Sequence, residues 1–191
     1  LYMDFDNDIQ KSLEVLHAGG TLLYPTDTIW GLGCDATNQR AVQKIYSIKS
    51  RSEAKSLIIL IDDFEKLSTY VEIVPEITGD LLASITNPVT IIYSNARRLA
   101  PNVVASDGTI AIRIVKDEFC KELIRQFGKP IVSTSANMSG FEAPATFGQV
   151  TDDIKDAVDY IVTYKQDYYS AAKPSTIIRL REDGMYTIIR G

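Results

Sequence analysis

Apolar residues recur along this chain at two spacings, one typical of helices and one typical of strands. Ile9, Leu13 and Leu16 share one helical face, and Asn7 or Asp8 can cap the helix that they predict. Further helices are predicted over residues 38–48, 63–70, 75–85 and 117–127. Strands are predicted over residues 21–24, 56–61, 89–93, 110–115, 130–133, 160–163, 176–180 and 185–190.

The order of these elements predicts the fold class. Strands alternate with helices through most of the chain, which is the pattern of an α/β layer fold. The last three strands follow one another, and a turn at 182–184 joins the final two as a hairpin, which argues against a wholly parallel sheet. A length of 191 residues without repeats or linkers fits one domain. The sequence therefore predicts a single α/β domain over residues 1–191, with a twisted mixed sheet flanked by helices.

Charge and hydropathy narrow the classes of function. The net charge of -5 argues against a protein whose main affinity comes from wrapping nucleic acid, because that affinity needs many contacts from Lys and Arg to phosphate. A local basic site remains compatible with this net charge. No apolar stretch approaches the roughly 20 residues that cross a bilayer, so we expect a cytoplasmic protein with no membrane segment.

The residues of familiar nucleophilic and zinc sites are scarce. Cys34 and Cys120 lack the spacing of metal ligands, and we predict that both are reduced, structural thiols. His17 is the only histidine, and it falls at the end of an exposed helix, so a Ser-His-Asp or Cys-His arrangement lacks a base. We predict no protein-held metal, and any Mg²⁺ would be carried by nucleotide phosphates.

Three polar segments follow predicted strands, where open α/β sheets place ligand sites. The first, residues 24–33, reads YPTDTIWGLG. Its hydroxyls, carboxylate and glycines allow hydrogen bonds to a polar ligand and close backbone approach, although a loop that only closes a turn has the same composition. Neither GxxxxGKS nor GxxxxGKT occurs in the chain, so a Walker-type loop does not hold a nucleotide here.

The second polar segment is basic. Lys49, Arg51 and Lys55 are interleaved with serines and could neutralise a triphosphate, since Arg supplies a bidentate fork and Lys a mobile point charge. A charge run is also typical of a solvated surface that compensates the end of a helix. The position between an amphipathic helix and an aliphatic strand favours a site at the edge of the sheet.

The third polar segment, residues 133–140, reads STSANMSG and carries no charge. Its hydroxyls and its amide suit a ribose, a phosphate oxygen or an amino-acid carboxylate. A serine-rich turn has the same composition, so the segment taken alone leaves both interpretations open.

Several runs of residues resemble the YrdC-like family in order and spacing. They read YPTDTIWGLGCDA, IKSRSEAKSLIILI, TIAIRIV, STSANMSG, PSTII and a terminal IIRG, and the similarity extends from about Ile9 to Gly191. The resemblance implies a twisted α/β domain with a deep, positively lined concave face. It also implies synthesis of threonylcarbamoyl-AMP and pyrophosphate from L-threonine, bicarbonate and ATP, the first step toward N6-threonylcarbamoyl adenosine of tRNA.

The resemblance further implies roles for individual residues. The implied catalytic cations are Lys49 and Arg51. The implied L-threonine site comprises Thr28, Leu60, Arg113, Ser135 and Ser175. The implied ATP site comprises Arg51, Lys55, Thr109, Asn137, Thr146 and Arg190.

The chemistry that the resemblance implies needs no protein nucleophile. The protein has to align a carbamate with the α-phosphate and offset their repulsion, which fixed cations can do. The implied partners are bicarbonate or CO₂ and a downstream threonylcarbamoyl transferase complex. Two alternatives stay open, a noncatalytic module that binds tRNA or double-stranded RNA in the same concavity and an enzyme with a different acyl acceptor. The acidic net charge argues against RNA binding as the sole role.

Overall fold

One mixed sheet runs through the part of the chain that the structure describes. The structure, a computed structural model, describes residues 4–50, 57–168 and 174–191. Its strands are β1 Leu22–Tyr24, β2 Gly31–Gly33, β3 Ile58–Ile61, β4 Val89–Tyr93, β5 Ile110–Ile114, β6 Ile131–Ser135, β7 Tyr160–Ile161, β8 Thr176–Leu180 and β9 Tyr186–Arg190. They hydrogen-bond in the order β7-β1-β2-β6-β3-β5-β4-β8-β9.

The pairing of these strands confirms the predicted fold class. β1 with β7, β3 with β5 and β4 with β8 are parallel pairs, whereas the other neighbours in the sheet are antiparallel. The α-helices are α1 Asp6–His17, α2 Gln39–Ile48, α3 Leu67–Tyr70, α4 Thr78–Ala83, α5 Glu118–Phe127 and α6 Asp152–Ala157. Short 3-10 helices span Phe64–Lys66 and Phe147–Gln149. In the described ranges no helix is both long and apolar enough to span a bilayer.

The two faces of the sheet carry separate apolar cores. On β5, Ile110 and Ile112 pack into the cluster that includes the buried residues of α2, whereas Val115 beyond the strand packs with α1 and α5. Alternate residues of a strand point to opposite faces. Arg113 therefore lies on the α1 and α5 side, where the apolar core gives way to polar side chains.

The strand β2 lies within the polar segment 24–33, where no strand was predicted after residue 24. Its middle residue pairs with both β1 and β6, so the strand is enclosed by backbone. A Cβ on Gly33 would lie 2.8 Å from the Val132 carbonyl oxygen and 2.5 Å from Tyr24 Cε1, because the Tyr24 ring crosses Gly33 to donate a hydrogen bond to that carbonyl at 2.9 Å. Glycine is needed here for close approach, and glycine gives little strand signal in a sequence.

Other elements differ from the predictions in extent. The helix predicted over 75–85 is shorter, since α4 covers Thr78–Ala83, and the helix predicted over 63–70 divides into a 3-10 turn and α3. The α6 helix and the 3-10 helix at Phe147–Gln149 were not predicted. Asn38 caps α2, since its Oδ1 accepts a hydrogen bond from Ala41 N at 3.1 Å.

Asp8 has a different role from the predicted helix cap. Phe5 occupies the N-cap position of α1, and Asp8 lies inside the helix with only 3 % of its surface exposed. Its carboxylate accepts hydrogen bonds from Tyr160 Oη at 2.6 Å, Thr163 N at 2.9 Å, Thr163 Oγ1 at 2.8 Å and Tyr164 N at 2.9 Å. Asp8 thus fastens the first helix to the edge strand β7 and the residues that follow it.

We expect Asp8→Ala to lower the free energy of unfolding by about 3–5 kcal/mol, because the substitution leaves several buried donors without an acceptor. Urea denaturation at neutral pH measures the change. Asp153→Ala is the matched control, since Asp153 is an exposed aspartate in the first turn of α6 and should change stability by less than about 1 kcal/mol. Equal effects of the two substitutions would contradict the role assigned to Asp8.

Candidate active site

A cavity of about 260 Å³ opens on the polar part of the sheet. It is bordered by the loop between β1 and β2, the ends of β3 and β6, the middle of β5 and the C-terminal residues next to β8 and β9. The residues that line this site cavity are Thr28, Ile29, Gly31, Leu57, Ile58, Arg113, Ser133, Thr134, Ser135, Ala143, Pro174, Ser175 and Arg190. Two arginines and several hydroxyls therefore face one small volume together with an apolar wall.

Arg113 provides the buried charge of the site cavity. The side chain is 4 % exposed, and its Nε lies 3.1 Å from Asp27 Oδ1. This contact is an ion pair without hydrogen-bond geometry, since Arg113 Nε and Nη2 and Asp27 Oδ1 all lack hydrogen-bond partners among the described residues. Buried polar groups are normally hydrogen-bonded, so this guanidinium has unused capacity to bind a carboxylate or a phosphate.

Ser175 and Arg190 are brought to the cavity by the pairing of β4, β8 and β9. Ser175 Oγ lies 2.7 Å from the hydroxyl of Thr90, which is opposite Arg113 in the register of β4 and β5. The Arg190 guanidinium donates two hydrogen bonds to the Ser175 carbonyl oxygen, at 3.1 Å from Nε and 2.8 Å from Nη2. Residues from the end of the sequence are thus fixed next to Arg113.

The loop between β1 and β2 is rigid enough to place Thr28. Thr26 Oγ1 donates to the Ile29 carbonyl oxygen at 2.7 Å and accepts from Thr28 N at 3.1 Å. Cys120 Sγ supports the start of the loop by donating to the Pro25 carbonyl oxygen at 3.2 Å. Thr28 is 6 % exposed and lines the cavity, and its Oγ1 lies 3.1 Å from Thr26 Oγ1, so the side chain borders the cavity from a fixed backbone.

The Sua5/YciO/YrdC family model, whose description is "Telomere recombination", matches residues 14–191. The chain belongs to the Sua5/YciO/YrdC family. Among relatives of this Sua5/YciO/YrdC chain, the threonylcarbamoyl-AMP synthase of Hahella chejuensis is 38% identical over 88% of this chain and 91% of the relative. The enzyme of the same name from Pseudoalteromonas translucida is 32% identical over 92% and 94%.

Solved structures of the Sua5/YciO/YrdC family have the same fold. Sua5 from P. abyssi, as an H234A/Y235A variant, aligns with a TM-score of 0.85 and 28% identity over 95% of this chain and 52% of that one. P. abyssi Sua5 in complex with L-threonine aligns with a TM-score of 0.79 and 27% identity over 90% and 50%. The chain therefore spans about half the length of these Sua5 chains. E. coli YciO, at 24% identity and a TM-score of 0.82, matches in fold over 96% of this chain and 88% of its own length.

Lys49 is buried against the 135–137 segment. It is 1 % exposed, and its Nζ donates to the carbonyl oxygens of Ser135 at 2.5 Å and Asn137 at 2.8 Å. It is not among the described residues that line the site cavity. The ammonium therefore supports the backbone of the 135–137 segment, and its contact with phosphates stays a prediction.

Leu60 also lies outside the site cavity. Its side chain is completely buried in the cluster that also includes Phe119 and Leu123, and the expectation that it lines a threonine pocket stays a prediction. Ile58 lies two residues earlier on the same face of β3 and does line the cavity, as does Leu57. The apolar wall of the site is thus displaced toward the start of the strand.

Three residues implied at the ATP site lie beyond the cavity wall. Thr109 Oγ1 donates to Asp107 Oδ1 at 2.6 Å in the turn before β5, and Thr146 N donates to the Gln149 side chain at 3.2 Å. Asn137 Nδ2 donates to the carbonyl oxygens of Met138 and Phe141 at 3.0 and 2.8 Å, and its buried Oδ1 has no hydrogen-bond partner in the described part of the chain. Asn137 therefore shapes the loop that leads to Ala143. Arg51 and Lys55 lie outside the described residues.

Sequence reasoning missed several residues of the site. Ser133, two positions before Ser135, lines the same cavity because residues at this spacing share one face of β6; that alternation was the available signal. Asp27 was noted only as part of a polar loop, and nothing in the sequence connects it to Arg113. Cys34 and Cys120 are free and buried, as predicted, and burial raises the pKa of each thiol.

Proposed function

We propose that this chain is an enzyme of the nucleotidyltransferase class that makes L-threonylcarbamoyladenylate from L-threonine, bicarbonate and ATP. The observation that carries the proposal is the buried Arg113 guanidinium at the site cavity, with two nitrogens that lack hydrogen-bond partners among the described residues. The relatives named threonylcarbamoyl-AMP synthase and the Sua5 complex with L-threonine support the same substrate. The product would pass to a threonylcarbamoyl transferase complex that modifies tRNA.

L-Threonine is assigned to the cavity floor. A guanidinium and a carboxylate form charge-assisted hydrogen bonds, so the α-carboxylate faces Arg113. The hydroxyl of threonine is assigned to Thr28 and Ser175, which carry hydroxyls on two sides of the cavity. Its methyl group can contact the apolar wall of Leu57 and Ile58.

ATP is assigned to the more open side of the cavity. Arg190 is exposed there while its position is fixed by the Ser175 carbonyl, and Ser135 supplies a hydroxyl at the end of β6. The phosphates, with their Mg²⁺, would also meet the cations of the 49–55 segment. The remaining proposed nucleotide contacts are Arg51, Lys55, Thr109, Asn137 and Thr146.

The proposed reaction requires alignment rather than a protein nucleophile. The amine of threonine attacks the carbon of bicarbonate, a C–N bond forms, and hydroxide leaves as water with the proton lost by the amine. A carbamate oxygen then attacks the α-phosphorus of ATP, and the bond from this phosphorus to the β-phosphate oxygen breaks to release pyrophosphate. Arg113 and Arg190 would fix the carboxylate and the nucleotide and offset the repulsion between the two anions.

A single assay tests the proposed function. Purified protein incubated with ATP, L-threonine and bicarbonate should release pyrophosphate and form a threonine-containing adenylate that mass spectrometry detects. Omission of either L-threonine or bicarbonate should abolish the release. Release at the same rate without L-threonine would contradict the assigned acceptor, and the absence of release under all conditions would contradict the enzyme class.

We expect the double variant Thr28→Val/Ser175→Ala to lose selectivity for the substrate hydroxyl. A site that hydrogen-bonds a hydroxyl rejects an analogue without it, because its own polar groups are then left unpaired. The ratio of kcat/KM for L-threonine over L-2-aminobutyrate should fall by about tenfold or more, with little change in KM for ATP. Thr187→Val, at an exposed position of β9, is the control. An unchanged ratio would mean that these hydroxyls do not contact the substrate hydroxyl.

A further inference from the structure

Asp27 belongs to the loop that borders two neighbouring cavities. The second cavity, of about 380 Å³, lies on the other side of the loop between β1 and β2 and is lined by Asp27, Trp30, Lys116 and Lys165 among others. It shares Thr28 and Ile29 with the site cavity. The carboxylate of Asp27 forms an ion pair with Arg113 on β5. The pair therefore links the loop between β1 and β2 to β5.

The burial of this pair makes each charge depend on the other. The side chains of Arg113 and Asp27 are 4 % and 10 % exposed, with 3.1 Å between Nε and Oδ1. Arg113 Nε and Nη2 donate no hydrogen bond to any described residue. A buried charge without a partner is strongly unfavourable, so Asp27 neutralises the guanidinium while no substrate carboxylate is bound.

The backbone around Asp27 keeps its carboxylate in one place. The hydrogen bond from Thr26 Oγ1 to the Ile29 carbonyl oxygen spans the residue, and the Cys120 thiol holds the preceding Pro25. Asp27 therefore contacts Arg113 from a restrained loop. Among the described residues, Asp27 is the carboxylate that forms an ion pair with the Arg113 guanidinium.

We propose that Asp27 is a positioning residue, which orients the Arg113 guanidinium for the carboxylate of the substrate. This inference rests on the proposed function, because Arg113 is the group that would hold L-threonine. Asp27 acts through Arg113 and has no assigned contact with the substrate. Misorientation of a substrate-holding group lowers the rate of the chemical step more than it weakens binding of a second substrate.

A double-mutant cycle over Asp27→Asn and Arg113→Gln tests the proposal. Asp27→Asn should lower kcat for pyrophosphate release at least tenfold while KM for ATP changes less than threefold. In the Arg113→Gln background the same substitution should cost less than twofold, because the group that it orients is absent. Asp27→Glu, which keeps the charge, should recover part of the lost kcat. Asp62→Asn is the matched control, since Asp62 is a carboxylate of 7 % exposure that pairs with Lys66 at 2.6 Å and lines neither cavity.

The same four proteins give a second measurement that is independent of activity. Asp27→Asn should lower the unfolding temperature when Arg113 is present, and it should lower that temperature less when Arg113 is Gln, because only the first case leaves a buried cation unpaired. Equal losses in both backgrounds, in kcat or in unfolding temperature, would overturn the proposal. If the wild-type protein releases no pyrophosphate, the proposed function fails, and the unfolding temperatures alone decide the coupling between Asp27 and Arg113.

Discussion

Arg113→Gln should lower kcat/KM for L-threonine by about 30-fold or more. Truncating one partner of a buried charge pair costs roughly 2–5 kcal/mol, and 2 kcal/mol corresponds to about 30-fold. The substitution should affect kcat/KM for L-threonine because Arg113 lies on the floor of the site cavity, to which L-threonine is assigned. In the register of the neighbouring strands Arg113 is opposite Thr90 and Leu60. KM for ATP should change less than threefold, since the nucleotide is assigned to the side that Arg190 borders.

Steady-state pyrophosphate release with each substrate varied in turn measures this effect. Arg125→Gln is the control, because Arg125 forms an exposed pair with Glu122 on α5 and should leave kcat/KM within about twofold. Arg113→Lys keeps the charge but loses the planar fork, so it should lie between the wild type and the Gln variant. An equal rise in KM for ATP would move Arg113 to the nucleotide, and an unchanged kcat/KM for L-threonine would remove it from the site.

Lys49→Met should both destabilise the protein and disable the site. Methionine has a similar length but cannot donate to the Ser135 and Asn137 carbonyl oxygens, which Lys49 Nζ contacts at 2.5 and 2.8 Å. Hydrogen bonds from charged groups contribute about 1.5–3 kcal/mol each, so the free energy of unfolding should fall by about 3–5 kcal/mol. The 135–137 segment would lose its support, and we expect kcat/KM for ATP to fall about 100-fold, since an angstrom-scale displacement can cost that much.

Lys44→Met, on the helix α2 that Lys49 ends, is the control. It separates the support of the 135–137 segment by Lys49 from a general effect of removing a lysine. Lys44 Nζ also donates to a carbonyl oxygen, that of Gly19 at 2.9 Å, but from an exposed position. Its substitution should change stability by less than about 1 kcal/mol and leave kcat unchanged. Chemical denaturation and initial rates on the two variants make the comparison. Full stability with lost activity in Lys49→Met would instead favour the direct catalytic role that the resemblance implies.

The sequence predicted most strands and helices because their apolar residues repeat regularly. The α5 helix and the strands β4 and β8 agree closely with the predictions over 117–127, 89–93 and 176–180. β2 was missed because its three residues, Gly-Leu-Gly, show no alternation of apolar and polar positions. Glycine is needed there because the backbones of β1 and β6 enclose the strand, and only the tertiary structure shows this. The cap assigned to Asp8 was wrong because residues beyond position 159 supply the donors for its carboxylate.

The sequence indicated which segments of the chain form the site, but it did not indicate the directions of individual side chains. Thr28, Ser175 and Arg113 line one cavity because strand pairing brings their segments together, and motif similarity was sufficient to indicate them. Which way Lys49 and Leu60 point depends on the packing around them, and a sequence motif does not contain that information. The pair of Asp27 with Arg113 joins a loop to a distant strand, so only the tertiary structure reveals it.

The wide separation of the site residues along the chain has a consequence for cooperativity. Thr28 belongs to the first hairpin, β1 and β2, and Arg190 to the last, β8 and β9, and β6, β3, β5 and β4 separate the two hairpins in the sheet. Opening at either edge would dismantle the cavity, so a bound ligand stabilises the protein against partial as well as complete opening. Occupancy by substrate is therefore expected to slow hydrogen exchange at both edges of the sheet together, although neither edge strand is close to the other.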